Sequence, residues 1–272
     1  MLQRELSVDT TTQLAGRAVF AFLALGVFVV AISGRRTTHA FRSMGRAGLA
    51  VAVCTAVASG SFIVALNHAT VANVFFMQAA APIGAALIAW LALREAITRR
   101  ACLAMVVALF GVVLMVGAPG SSSLLGIGAS LVMTLAFSVG IVITRHRRDV
   151  SMAPAVCLSQ LLLVFAFGPF AQPSSVTGPD LGLLVLLGFG QMALGLALLT
   201  VGARLIPASE VALITLLEVV LGPLWVWLAL SERPPQLTLL GGGVVILAVL
   251  LFATERTRAP VVSSAVAPDA AR

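Results

Sequence analysis

Nine long apolar runs constrain this chain more than any other feature of its sequence. A helix needs about 20 apolar residues to cross about 30 Å of hydrocarbon. Only helices or closed barrels satisfy every backbone group in lipid, and these runs are too long and too uniformly apolar for alternating barrel strands. The runs span residues 17–33, 46–66, 70–93, 100–117, 123–144, 153–170, 181–203, 207–230 and 236–254. We therefore predict an all-α polytopic membrane protein with about nine transmembrane helices in a lipid bilayer.

The charged residues support this fold class and exclude a nucleic-acid partner. Hydrophobic residues make up 60% of the chain and charged residues only 10%, although the net charge is +7. The arginines cluster in short gaps between apolar runs, which is a topology signal. Fourteen of the 17 lie in alternate gaps and the C-terminal tail, and the exceptions are Arg4, Arg17 and Arg233. The positive-inside rule then predicts a multi-pass cell-membrane protein with a cytoplasmic C-terminus and an external N-terminus.

The chain repeats itself at an offset of 137 residues. Residues 65–95 and 202–232 align without a gap, and the matches include the rare Trp90 with Trp227 and Glu95 with Glu232. A unit of five helices is odd, so the second copy is expected upside down in the bilayer, as in many transporters. The run 123–144 has no counterpart in the first copy. We therefore expect two inverted five-helix repeats with the first helix missing, a 4 + 5 arrangement.

This repeat predicts a layout of four segments. A polar tail over 1–16 precedes an incomplete first repeat over 17–117, and a second repeat over 123–254 precedes a disordered tail over 255–272.

The second copy carries a recognisable pattern. It runs from Ala208-Ser209-Glu210-Val211 through Leu217-Glu218-Val219-Val220-Leu221-Gly222-Pro223-Leu224-Trp225 to Leu230-Ser231-Glu232-Arg233. This stretch resembles the EamA repeat of the drug/metabolite transporter (DMT) superfamily, and the stretch from Ala65 through Ala81-Pro82 to Glu95 is similar. The resemblance implies ten helices in two inverted repeats, with both termini cytoplasmic. It also implies an exporter of small molecules.

Glu218 is the leading candidate for a substrate site. It lies 11 residues after Pro207, or about 16 Å along a helix, near the middle of the hydrocarbon. A carboxylate at that depth needs water, a partner or a proton. Gly222 and Trp225 follow at i+4 and i+7 on the same face, so the three residues are expected to form a cavity wall. The alternative is a protonated Glu218 that hydrogen-bonds a neighbouring helix.

Five further polar residues are weaker candidates. Glu210 and its aligned partner Asn73 are polar at opposite depths, although Glu210 is better explained as a first-turn residue that meets the helix dipole. Gln78, Gln160 and Gln191 lie within three different runs. Each amide either lines a pathway or makes an interhelical hydrogen bond, which is the commoner role.

We expect a secondary transporter that works by alternating access on small metabolites, amino acids or drugs, with proton coupling at Glu218. No metal-ligand spacing or phosphate loop occurs, so we expect neither a cofactor nor transport driven by nucleotide hydrolysis. A lipid-linked or nucleotide-sugar carrier of the same superfamily and a non-transporting remnant are the alternatives. A membrane-embedded enzyme is disfavoured because no catalytic constellation is evident.

Overall fold

The structure is a computed structural model of the chain. It describes residues 6–69, 71–94, 97–116, 123–206, 208–215, 217, 221 and 236–253. Twelve α-helices are present in these ranges: α1 Thr10–Ser33, α2 Thr37–Ser43, α3 Gly45–His68, α4 Val71–Ala79, α5 Ala81–Leu93, α6 Arg99–Val116, α7 Leu124–His146, α8 Ala153–Phe167, α9 Gly178–Leu186, α10 Gly195–Leu205, α11 Ala208–Thr215 and α12 Gln236–Ala253. A π-helical segment, Leu187–Leu194, joins α9 to α10.

The described residues contain helices and no strands, as the apolar runs predicted. Six helical stretches are long and apolar enough to span a membrane, and α12 contributes a shorter apolar helix. The six are Thr10–Ser43, Gly45–His68, Asn73–Leu93, Leu124–His146, Ala153–Phe170 and Gly178–Leu205. Large apolar side chains such as Val27, Leu91 and Phe165 are exposed on their outer faces. Such a surface needs lipid around it, so the molecule is a polytopic membrane protein.

The first helix begins earlier than the hydropathy pattern predicts. α1 starts at Thr10, whereas the first apolar run starts at residue 17. Asp9 caps the helix by accepting a hydrogen bond from the backbone N–H of Thr11 at 3.2 Å. The first turns of α1 are polar and are stabilised by this N-cap, not by apolar side chains. The hydropathy pattern therefore placed the start of the helix too late.

The run over residues 70–93 is broken rather than continuous. α4 ends at Ala79 and α5 begins at Ala81, with Pro82 in its first turn. Proline has no N–H to donate and its ring clashes with the preceding turn, so the helix is interrupted there. The hydroxyls of Thr134 and Ser138 on α7 donate to the carbonyls of Met77 at 3.1 Å and of Ala81 at 3.2 Å. These side chains hydrogen-bond backbone groups at the break, as a broken helix in a membrane requires.

Three helix pairs form the framework of the fold: α1 with α8, α3 with α7, and α6 with α12. Small residues let the last pair approach closely. A Cβ on Gly111 of α6 would lie 2.8 Å from the carbonyl oxygen of Gly241 on α12. Arg99 and Gln236 begin these two helices, and Val116 and Ala253 end them. Both pairs are 137 residues apart, which is the offset of the sequence repeat.

Candidate functional site: a central cavity

A cavity of about 430 Å³ lies between the helices. Its walls come from α1, α3, α4, α5, α7, α8, the π segment, α10 and α11. The polar side chains that line it are Arg17, Thr55, Ser59, Gln78, Thr134, Thr144, Gln191, Thr200 and Thr215. The volume is that of a small-molecule site.

The broken helix places Gln78 in the cavity wall. Gln78 lies two residues before the α4–α5 interruption, and its Oε1 is buried without a hydrogen-bond partner among the described residues. Thr134, which bonds the neighbouring Met77 carbonyl, also lines the cavity. A buried amide oxygen without a partner costs free energy. A ligand N–H or a water in the cavity is the natural donor for it.

The π-helical segment carries Gln191. This residue is exposed to the cavity near the middle of the Gly178–Leu205 stretch. A π turn widens the helix by one residue and recurs at functional sites. Met192 lines the cavity beside it, and Gly195 and Leu196 follow on α10. Two of the glutamines predicted from sequence, Gln78 and Gln191, therefore meet at one cavity from opposite halves of the chain.

Arg17 lines the same cavity. In the sequence it counted only as one of three exceptions to the alternating arginine pattern, and it was not proposed as a site residue. It lies seven residues into α1, or about 10 Å along the helix axis, and its side chain is only 3% exposed. No described residue accepts a hydrogen bond from its Nε. An arginine that snorkels to the interface would be exposed, so burial is the signal that separates Arg17 from the others. That burial is a property of the packed helices and cannot be seen in the sequence.

Two glycines hold this turn of α1 against α9 and the π segment. A Cβ on Gly188 of the π segment would lie 2.8 Å from the Arg17 carbonyl oxygen and 2.5 Å from the Phe20 Cβ. On α1 itself, a Cβ on Gly16 would lie 2.9 Å from a methyl carbon of Leu184. The close approach is possible because glycine has no side chain. It brings the backbone of Arg17 and the segment that carries Gln191 into direct contact.

The remaining wall of the cavity is apolar. Phe62, Met133, Phe137, Leu196 and Leu199 line it together with small residues such as Ala58 and Gly140. An apolar wall with a few polar groups at fixed positions suits a small solute that has both characters. No group of three or more His, Cys, Asp or Glu side chains lies together within the described ranges.

Three other predicted site residues lie outside the cavity lining. Gln160 is fully buried on α8, and its Nε2 donates to the Ser159 Oγ at 3.2 Å. Asn73 is buried on α4. Glu210 lies half-buried in the first turn of α11, which is the position expected for an acid that interacts with the helix dipole. None of these three lines the cavity. Glu218, Gly222 and Trp225 lie outside the described residues, so their roles stay predictions.

Spanning helices around a cavity with amide, hydroxyl and guanidinium groups define a polytopic membrane protein with a small-molecule site. The EamA-like transporter family model matches residues 1–117 and 121–254. The chain belongs to this family, within the DMT superfamily, as the sequence resemblance predicted. Each of the two matched segments contributes walls to the cavity.

Solved structures show the same fold. A structure described only as "Crystal structure of protein" is similar with a TM-score of 0.79 at 15% sequence identity, over 95% of this chain and 93% of that one. No curated protein matches the chain.

Proposed function

We propose that this protein is a secondary transporter that exports small metabolites, amino acids or drugs by alternating access. The observation that carries the proposal is that one cavity takes its walls from both family segments. Gln78 comes from the first segment and Gln191 from the second, each at an interruption of a helix. Helices interrupted near the midplane, at the interface between two repeats, are a common form of transporter site.

Two inverted repeats would supply the moving parts. The bounds of α6 and α12 differ by 137 residues at both ends, and α4 and α11 start at Val71 and Ala208, again 137 apart. Equivalent helices in the two repeats support a rocking motion about the central site. In this arrangement the 4 + 5 count, the cytoplasmic C-terminus and a location in the plasma membrane follow from the sequence pattern.

Filling the cavity tests the proposal. Gly195 lines the cavity, and a Cβ there would meet no atom within 4 Å. Gly202 lies two turns further along α10, also with open space at its Cβ, but outside the cavity lining. Gly195→Leu should therefore abolish exchange of a pool of labelled amino acids into proteoliposomes by counterflow, and Gly202→Leu should preserve it.

Both variants insert the same side chain into the same helix, so general effects on folding are matched. Wild-type vesicles that exchange no more label than protein-free vesicles would contradict transport of amino acids, the substrate class that this assay tests. An equal loss of exchange in both variants would indicate that the substrate does not pass through this cavity.

Glu218 remains the proposed proton-binding group, on the argument of its depth in the hydrocarbon. Glu218→Gln should flatten the pH dependence of exchange. An unchanged rate and pH profile would make the residue structural.

A further inference from the structure

The cavity contains a buried cation that the proposed mechanism has not used. Arg17 is 3% exposed and reaches the cavity from α1. Its guanidinium has no carboxylate partner among the residues described, and its Nε has no hydrogen bond there. Guanidinium groups stay charged at any physiological pH. A buried charge without a partner is costly, and inside a membrane such a residue ordinarily faces its counter-ion or a pathway.

The other polar groups around the cavity do not supply the missing negative charge. The described side chains that line it are amides, hydroxyls and apolar groups, and none is an acid. None of the four described acids lines the cavity. Asp9 caps α1, Asp180 accepts hydrogen bonds from Ser7 and Thr177, Asp149 pairs with Arg147 on the surface, and Glu210 lies in the first turn of α11. Among the described residues nothing supplies the compensating charge, and an anion that enters the cavity would supply it while Glu218, the proposed proton-binding group, is protonated.

We propose that the substrate of this transporter is a small organic monocarboxylate with an apolar body, whose carboxylate pairs with Arg17. This inference rests on the proposed transport function and names the substrate class for the same cavity. The planar guanidinium fork matches a carboxylate and forms two parallel hydrogen bonds with it. Arg17 is the one cation among the described lining residues, and a monoanion balances its charge.

The apolar part of the cavity wall and Gln78 suit the apolar body and a polar group of such a solute. Phe62, Met133 and Phe137 offer an apolar surface, and the unpartnered Oε1 of Gln78 accepts one hydrogen bond from a donor on the solute. The backbone at Arg17 is held firmly, because Gly188 packs directly on its carbonyl oxygen. The guanidinium is thus presented from a fixed turn of α1, which favours recognition of one charged group at one place.

Benzoate and benzamide make a matched pair of probes, since they share shape and differ in charge. The amide also offers an N–H donor to Gln78, which works against the expected preference for benzoate. In thermal unfolding of the purified full chain in detergent, benzoate should raise the melting temperature at concentrations about tenfold or more below those needed for benzamide, because a charge-assisted pair is lost in the amide. Arg17→Met should remove this difference, and Arg17→Lys should reduce it. Arg36→Met makes the same chemical change at an exposed arginine outside the cavity and should preserve the difference.

The melting temperature of Arg17→Met without a probe shows whether this variant is folded. Arg17→Met removes a buried, unpaired charge, so without any probe its melting temperature should equal or exceed that of the wild type. The proposal is overturned if benzoate and benzamide act alike on the wild type, if benzoate does not act, or if Arg17→Met keeps the full difference.

Counterflow of labelled benzoate in proteoliposomes separates this inference from the proposed function. Benzoate that binds through Arg17 but does not exchange would contradict transport and leave the anion site standing. Exchange of amino acids that is unaffected by Arg17→Met would leave transport standing and contradict the anion site.

Discussion

At the scale of single residues, glycine decides how closely the two halves of the cavity approach. Gly188 of the π segment touches the backbone of α1 at Arg17, Phe20 and Ala21. Gly182, six residues earlier, has nothing within 4 Å of its Cβ position. Both glycines lie within helical segments, so the sequence does not distinguish them. Only the contact of Gly188 with α1 shows that the two positions differ.

Gly188→Ala should destabilise the protein by about 1–3 kcal/mol, the usual cost of overpacking a close contact. The added methyl group would meet backbone, which cannot move aside as a flexible side chain can. Gly182→Ala is the control, and it should be neutral or slightly stabilising because alanine favours helix. Thermal unfolding in detergent measures both, and equal melting temperatures for the two variants would contradict the close contact as described.

At the scale of elements, the start of α1 depends on one carboxylate. Asp9 accepts hydrogen bonds from the Thr11 backbone at 3.2 Å and from the hydroxyls of Thr11 and Thr12. Hydrogen bonds from Thr11, then from Thr12, lower the pKa of Asp9 below its ordinary value. The ionised form is therefore the one that stabilises the helix, and this helix places Arg17 two turns later.

Asp9→Ala should cost about 1 kcal/mol of stability at neutral pH, as for other N-caps. The pH dependence has a definite sign, because the pKa is lower in the folded protein than in the unfolded chain. The charged cap contributes fully above the unfolded pKa of about 3.9 and is lost as the pH falls through the lower folded value. Asp9→Asn keeps an acceptor without the charge, so the wild type's advantage over it should shrink below about pH 4. An advantage in melting temperature that stays constant from pH 7 to pH 3 would contradict this role.

The interruptions at Ala80 and at Leu187–Leu194 matter at the same scale. A hydropathy pattern reports how long an apolar segment is, and both segments are long enough to be straight helices. Pro82 is a visible signal for the first break. The π turn has no comparable signal, because it arises where α9 and the π segment itself pack against α1 and the extra residue is absorbed locally.

At the scale of the whole molecule, the alternating arginines predict the orientation in the membrane. The segment between α7 and α8 carries Arg147 and Arg148, whereas the segment between α8 and α9 has no arginine from Gly168 to Thr177. α8 is the helix that separates these two segments. The positive-inside rule places the first in the cytoplasm and the second outside.

Single cysteines at Arg147 and at Ser174, in a chain whose Cys54, Cys102 and Cys157 are replaced by alanine, test this orientation. A membrane-impermeant thiol reagent added to intact cells should label Ser174→Cys and leave Arg147→Cys unlabelled until the cells are opened. Both positions are outside the apolar helices. Labelling of both positions in intact cells would contradict the prediction that α8 crosses the membrane. Labelling of Arg147→Cys alone would show that the orientation is the reverse of the predicted one.

The sequence by itself determined that the chain is helical, that it lies in a membrane and that it belongs to the EamA-like family. Long apolar runs have only one stable form in lipid, and their length, the arginine gaps and the repeated Trp and Glu residues are all local or periodic signals. It also identified Gln78 and Gln191 as candidates, because amides within apolar runs are visible without a structure. The tertiary structure decided which polar groups meet. Gln160 has the same sequence context as Gln78 but is sealed within packed helices, and Arg17 looks like an interfacial arginine but lies buried in the cavity wall. Hydropathy describes how a segment partitions between water and lipid, whereas the direction in which a side chain faces depends on how helices distant in sequence pack together.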